Sequence, residues 1–336
     1  MKRILMFSLA LTLVAAVLTG AVFYAVLRGE RSAGVVAAEQ ENKNYLLAGL
    51  DDAGDNTDML MLLSVNTQTG ALSFMQIPRD TYLRTDEREG KINQLYRYYS
   101  TRSEENTDLF LRKMSLSFSI PIQGYIVFRL EAVEETVDTL GGIPINLTET
   151  FVYTDEATGE EKRIEQGKRT LNGRDVCYYI RHRASYAEGD LGRLDAQMRF
   201  FSSAFTAMAD LKNPFTYLRL YRKIAPKLLT NLSEKDIISL ATAFIKNRDG
   251  HSVRLMRLPG EATRGNSGSW YYVVNQKAAE GLLRQYFSSE SKYRFDEKKQ
   301  FTRIDRENFM NIYHDNTYKS KVYNLAEAAE IKIIKK

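Results

Sequence analysis

A chain of 336 residues with 44% hydrophobic content is long enough to bury a full core and too apolar for a disordered one. Its net charge of +5 at pH 7 suits an anionic membrane surface or a phosphate-rich ligand. No Lys/Arg block, zinc-type spacing or nucleic-acid signature accompanies it, which argues against nucleic acid as a partner. The single cysteine, Cys177, excludes an internal disulfide and, within the apolar run VCYYI, reads as a buried inert thiol.

Lys2 and Arg3 precede an uncharged run, ILMFSLALTLVAAVLTGAVFYAVL, over residues 4–27. As a helix it rises about 36 Å, enough to cross a hydrocarbon core of about 30 Å, and it exceeds the apolar core of a cleaved signal. Arg28 and Arg31 flank its far side. The very short leading tail, residues 1–3, still favours an uncleaved signal anchor with the rest of the chain outside the membrane. Cleavage after Ala21 or Ala25 is the alternative. The small and polar residues 28–43 read as a linker.

A single domain is expected over residues 44–287. YLLAGL is a buried strand followed by an Asp/Gly/Asn loop. MLMLLSV and ALSFMQI are strands joined through Asn66–Gly70. Leu130, Val133, Val137 and Leu140 recur at helical spacing until Gly141 and Gly142 stop the helix ahead of another strand. DVCYYIRHR reads as a strand, and LGRLDAQMRFFSSAFTAMADL as a long amphipathic helix whose N-cap is Asp190. Helices over about 214–229 and 233–247, the strand SVRLMRLP and the helix QKAAEGLLRQYF complete the pattern. It predicts an α/β fold in which helices flank a mixed central β-sheet. Residues 288–336 are charged and weakly periodic, a tail of unknown fold.

The chain has no GxxxxGK loop, no GxGxxG after a strand, no HExxH and only three histidines. Carboxylates and arginines remain, the first suited to Mg²⁺ and the second to phosphate. Asp51, Asp52, Asp55 and Asp58 form either a solvated acidic loop or a cation site at the ends of two strands. Arg79 and Asp80 follow Pro78 at a strand mouth, where they are either a surface ion pair or part of a ligand site. In a strand, Arg181 and Arg183 share one face and His182 takes the other. On the helix that follows, Arg193 and Gln197 share a face near its N-terminus, where backbone N–H groups favour anions. Solvated arginines beside a helix cap are the plain alternative.

Five stretches, LLAGLDDAGDNTDMLMLLSVN, SFMQIPRDTYL, GKINQLY, TVDTLGGIPINL and YYIRHRASYAEGDLGRLDAQMRF, resemble in order and spacing the LytR–CpsA–Psr family. The resemblance covers residues 44–205, with a looser continuation to about 287. It implies transfer of an anionic glycopolymer, such as teichoic acid or capsule, from a polyprenyl-pyrophosphate carrier to a peptidoglycan sugar hydroxyl. It also implies a bacterial cell membrane of Gram-positive type, with one span among the membrane lipids and the catalytic domain extracellular. By the same resemblance Asp51 and Asp58 bind Mg²⁺ and Arg79, Arg181 and Arg183 bind pyrophosphate. Asp190, Arg193 and Gln197 complete the head-group site, and the apolar faces from Phe200 to Leu218 are candidates for a lipid channel. Asp52, Asp80 and Asp190 are open candidates for the general base. Two alternatives stand beside the transferase: a polyprenyl-pyrophosphate phosphohydrolase at the same site, and a non-catalytic membrane-tethered protein that binds the lipid.

Overall fold

The computed structural model describes residues 42–84, 89–100, 104–209, 211, 213–247, 249–288 and 320–333. The anchor expected at 4–27, the tail before it and most of the linker lie outside them.

Strands β1 (Asn42–Leu50), β2 (Thr57–Asn66) and β3 (Leu72–Ile77) form an antiparallel meander. Their apolar runs are nearly continuous because both faces are covered. Tyr45 and Leu47 of β1 point into one core, and Leu46, Ala48 and Leu50 into the other. Between β3 and the next sheet strand come a small ribbon, β4 (Tyr82–Arg84) with β5 (Glu89–Lys91), and helices α1 (Leu95–Ser100) and α2 (Glu104–Phe118). β6 (Gly124–Phe128) then joins β1 in parallel. α3 (Leu130–Thr139) ends at Gly141 and Gly142, as its sequence demands, and β7 (Ile143–Leu147) follows.

β8 (Phe151–Thr154), β9 (Glu161–Ile164) and β10 (Gly167–Leu171) build two small ribbons, β8 with β9 and β10 with β7. The run read as a strand, DVCYYIRHR, is instead helix α4 (Gly173–Arg181). The side chain of Asn172 accepts the Asp175 N–H at 2.9 Å. Gly173, Val176, Cys177 and Ile180, spaced by three and four, form the buried stripe. A local cap and a helical stripe together outweigh the strand propensity of a Tyr- and Ile-rich run.

α5 (Asp190–Ala209) is the expected long helix, but Asp190 is its first helical residue rather than its cap. α6 (Pro214–Ile224) stops five residues before the expected end. The chain then turns and adds β11 (Leu228–Thr230) beside β6, ahead of α7 (Glu234–Lys246). β12 (Val253–Arg257) runs parallel to β3, so Leu72 pairs with Val253. A hairpin of β13 (Gly260–Arg264) and β14 (Trp270–Val274) leads to α8 (Gln276–Tyr286). From the charged C-terminal segment, β15 (Val322–Tyr323) pairs with β12 and α9 (Leu325–Ala329) packs on α5.

The seven-stranded sheet thus reads β11-β6-β1-β2-β3-β12-β15 and is mixed. Helices α3 to α7 and α9 supply one core, among them Val137, Val176, Phe205 and Leu240. Helices α1, α2 and α8 supply the other, with Tyr96, Phe110 and Leu283. Each such side chain contributes about 1.5–3 kcal/mol by leaving water. Of the span from Phe200 to Leu218, Phe200, Phe201, Phe205, Met208, Tyr217 and Leu218 lie within the first core, where the rings of Phe205 and Phe244 meet at 3.9 Å, whereas Phe215 is exposed.

Candidate functional site

One end of the sheet gathers the charged residues. Asp51 follows β1, and its carboxylate organises the loop to β2. Oδ1 accepts the N–H groups of Asp55 and Asn56 at 3.0 and 3.2 Å, and Oδ2 accepts Asn56 Nδ2 at 3.0 Å. Burial would raise its pKa, but these bonds outweigh it and hold the carboxyl below its ordinary value. Gly54 turns this loop at φ +73°, and a Cβ there would lie 2.1 Å from Arg129 Nη2. The Arg129 guanidinium therefore rests against the Asp loop.

Asp58, the second residue of β2, accepts Arg79 Nη1 at 2.6 Å. Arg79 stands in the turn after β3, where Pro78 ends the strand and its carbonyl accepts the Thr81 N–H. Its Nε approaches Asp190 Oδ1 at 3.4 Å, and Arg193 Nη2 approaches the same oxygen at 2.9 Å. Arg193 Nη1 lies 3.9 Å from Asp58 Oδ1. Two guanidiniums and two carboxylates from β2, the turn after β3 and the first turn of α5 thus make one cluster.

The cluster is incompletely satisfied. Arg193 is 2% exposed, yet the N–H vectors of Nε and Nη2 meet no acceptor, close as Nη2 comes to Asp190. Arg79 Nε and Asp190 Oδ1 are likewise without a hydrogen-bond partner among the described residues. Burial pulls the Arg193 pKa below its usual value against the opposing pull of Asp190. Burial lowers that of Arg79 too, but Asp190 and Asp58 more than restore it. A buried donor without an acceptor costs about 1–3 kcal/mol, more when charged. Two arginines held together with imperfectly answered N–H groups suit an anion as a further acceptor.

Arg181 and Arg183 do not share a strand face. Arg181 is the last residue of α4 and pairs with Asp52 of the acidic loop. Arg183 lies two residues on, exposed in the loop before α5. It lines a cleft of about 710 Å³ whose wall also includes Pro78, Asp80, Gly189 and Asp190. His182 does turn elsewhere: it bonds to Ser185 and packs edge-on against Phe151 and Tyr186. Gln197 is buried one layer below, where Nε2 donates to the Ile180 carbonyl at 3.0 Å and Oε1 accepts Gln76 Nε2 at 3.1 Å. It braces α4 and β3 against α5 behind the cluster.

Sequence reasoning gave no role to Lys91, which pairs with Asp80 at 2.9 Å beside the Arg79 turn, although GKINQLY contains it. It also passed over Arg129, whose signal is its place at the carboxyl end of a strand parallel to β1, where ligands of α/β sheets collect.

The family model of the LytR_cpsA_psr family matches residues 19–287. The chain belongs to this family. It is 28% identical over 243 residues to the polyisoprenyl-teichoic acid–peptidoglycan teichoic acid transferase TagU of Oceanobacillus iheyensis, covering 71% of this chain and 73% of that protein. To the TagU of Bacillus subtilis it is 27% identical over 255 residues, covering 74% and 78%. Among solved structures, B. subtilis TagV superposes with a TM-score of 0.62 at 19% identity, over 74% of this chain and 96% of that one. TagT bound to LIIa-WTA superposes at 0.57 and 21% identity, over 76% and 97%. The mixed sheet with flanking helices is thus the fold of these solved structures.

Proposed function

We propose that this chain is a membrane-anchored, extracellular phosphotransferase. It moves an anionic glycopolymer from a polyprenyl-pyrophosphate carrier to a sugar hydroxyl of peptidoglycan. The observation that carries the reading is the cluster of buried Arg193 and partly exposed Arg79 around Asp58 and Asp190, the last of which lines the cleft together with Arg183. The transferase names of the TagU relatives support the same reaction class.

The chemistry needs no covalent enzyme intermediate. The acceptor oxygen forms a bond to the phosphorus joined to the glycopolymer, the bond to the polyprenyl phosphate breaks, and the hydroxyl proton departs. Arg79 and Arg193 hold the non-bridging oxygens and the leaving phosphate, with Arg181 and Arg183 reinforcing them from the end of α4 and the loop after it. Asp80 and Asp190, which line the cleft, are the candidates to take the proton; each already faces a cation, Asp80 with Lys91 and Asp190 with Arg193, as Asp52 does with Arg181.

Asp51 and Asp58 suit a hard divalent cation. Asp51 Oδ2 accepts a single hydrogen bond and Asp58 Oδ2 none among the described residues, so each keeps a lone pair. No group of three or more His, Cys, Asp or Glu that could hold a metal occurs among the described residues, so ligand oxygens and water would complete a Mg²⁺ shell. When bound, the ion would neutralise charge on the phosphate under attack.

The test supplies the detergent-solubilised chain with a polyprenyl-pyrophosphate-linked saccharide, with and without peptidoglycan oligosaccharide, and follows polyprenyl monophosphate by mass spectrometry. Release that needs the acceptor, with a phosphodiester-linked product, supports transfer. Release without acceptor makes the protein a hydrolase, and binding without release makes it a lipid-binding protein.

A further inference from the structure

The cleft beside the arginine cluster has a second wall of different chemistry. Trp270, the only tryptophan of the chain, opens β14 and is 53% exposed. It and the half-buried Tyr271 face the same space as Arg183 and Asp190. Neither ring is loose. Arg264, the cross-strand partner of Trp270, sits over the indole at 5.2 Å. Tyr271 meets Tyr82 edge-on at 5.7 Å and lies under the Lys91 ammonium.

The hairpin is also tied to the turn that bears Arg79. Thr81 bridges to Tyr272, and the Tyr272 N–H donates to the Asp80 carbonyl at 2.8 Å. The Tyr272 hydroxyl donates to the Leu258 carbonyl at 2.7 Å. Aromatic wall and arginine turn are thus fastened together, which fixes the reach between them.

Resting on the pyrophosphate reading above, we infer that Trp270 and Tyr271 are a stacking platform for the pyranose ring next to the pyrophosphate. An aromatic surface in water matches the C–H face of a sugar, and carboxylates nearby accept its hydroxyls. Asp80 and Glu188 supply those acceptors in the same cleft. An alkyl chain would gain nothing from them. The ring is either the first sugar of the carrier-linked polymer or the acceptor sugar of the wall, since each is joined to the reacting phosphate before or after transfer.

Because the chain has one tryptophan, its emission reads this wall directly. The full chain in detergent is titrated with three probes: geranylgeranyl pyrophosphate, peptidoglycan glycan fragments free of pyrophosphate, and a polyprenyl-pyrophosphate-linked disaccharide. Emission should shift with a sugar-bearing probe and stay still with geranylgeranyl pyrophosphate. By calorimetry, Trp270→Ala should lose about tenfold in affinity for that sugar-bearing probe, Trp270→Phe should recover part of it, and both should bind geranylgeranyl pyrophosphate as the unmodified chain does. A loss seen with the glycan fragments assigns the platform to the acceptor, and one seen only with the linked disaccharide assigns it to the donor. Unmoved emission at saturation, or Trp270→Ala binding both sugar-bearing probes normally, overturns the platform. If glycan fragments shift the emission while geranylgeranyl pyrophosphate fails to bind, the platform stands and the pyrophosphate reading falls.

Discussion

Arg193 and Arg183 show how two arginines of one site differ. Arg193 is buried between Asp58 and Asp190, whereas Arg183 is exposed at the rim. Arg183→Ala should therefore weaken a polyprenyl pyrophosphate analogue roughly ten- to a hundred-fold and leave the melting temperature alone. Arg193→Ala should lose binding and stability together, because it empties a buried position and removes one of the two cations beside Asp58 and Asp190. Calorimetry of both variants decides; equal melting temperatures would mean that the buried arginine does not brace the fold. Asp58→Ala should cut transfer about 10²–10³-fold and change stability by less than about 1 kcal/mol, since the Arg79 pair is partly exposed. A chelator should remove the same activity from the unmodified chain, and turnover that survives both treatments ends the Mg²⁺ proposal. Cys177 offers a contrast without chemistry. Burial pushes its thiol up to about 12, so at pH 8 it stays protonated and shut in. Thiol reagents should label it only after unfolding, and rapid labelling of the native protein would contradict the packing of α4.

α4 decides where Arg181 stands, and it is also where the sequence was hardest to read. The residues Val176 to Ile180 are apolar or aromatic almost without a break, which satisfies a period of two as well as one of 3.6. Asn172, three residues before Asp175, was the readable sign of a helix start. The meander β1 to β3, α3 with its glycine stop, and α5 were legible because turn residues or helical spacing bounded them. The ribbons β8 to β10 were not, since Glu161–Ile164 and Gly167–Leu171 are polar and exposed along much of their length. The residues of the site were legible as a set of Asp and Arg types. Their pairing across β2, the turn after β3 and α5 was not, because only tertiary packing brings Asp58, Arg79, Asp190 and Arg193 together. Gly173 tests the placement of α4: a Cβ there would lie 2.2 Å from the Glu134 carbonyl of α3. Gly173→Ala should cost about 1–3 kcal/mol in denaturant unfolding and lower phosphate affinity by moving Arg181. Unchanged values for both would show that α3 and α4 are packed less closely than described.

At the scale of the molecule, the charged C-terminal segment belongs to the domain it follows. Leu325 and Ala328 enter the larger core, and Ser202 of α5 donates to the Leu325 carbonyl. β15 covers the open edge of β12. A chain ending at Ser288 should melt at least about 5 °C lower and self-associate through the bared edge. Calorimetry with light scattering checks this, and an unshifted, monomeric truncation would make the segment an appendage. The parallel pairing of Leu72 with Val253 has a consequence of another kind. A ribosome or a translocation channel delivers β3 long before it delivers β12, so the strand behind Arg79 waits with one side unpaired while most of the domain emerges. Contacts so distant in sequence are slow to form, and in this topology they are among the last. The strand that leads into the Arg79 turn is therefore paired on both sides only when nearly the whole domain has been made.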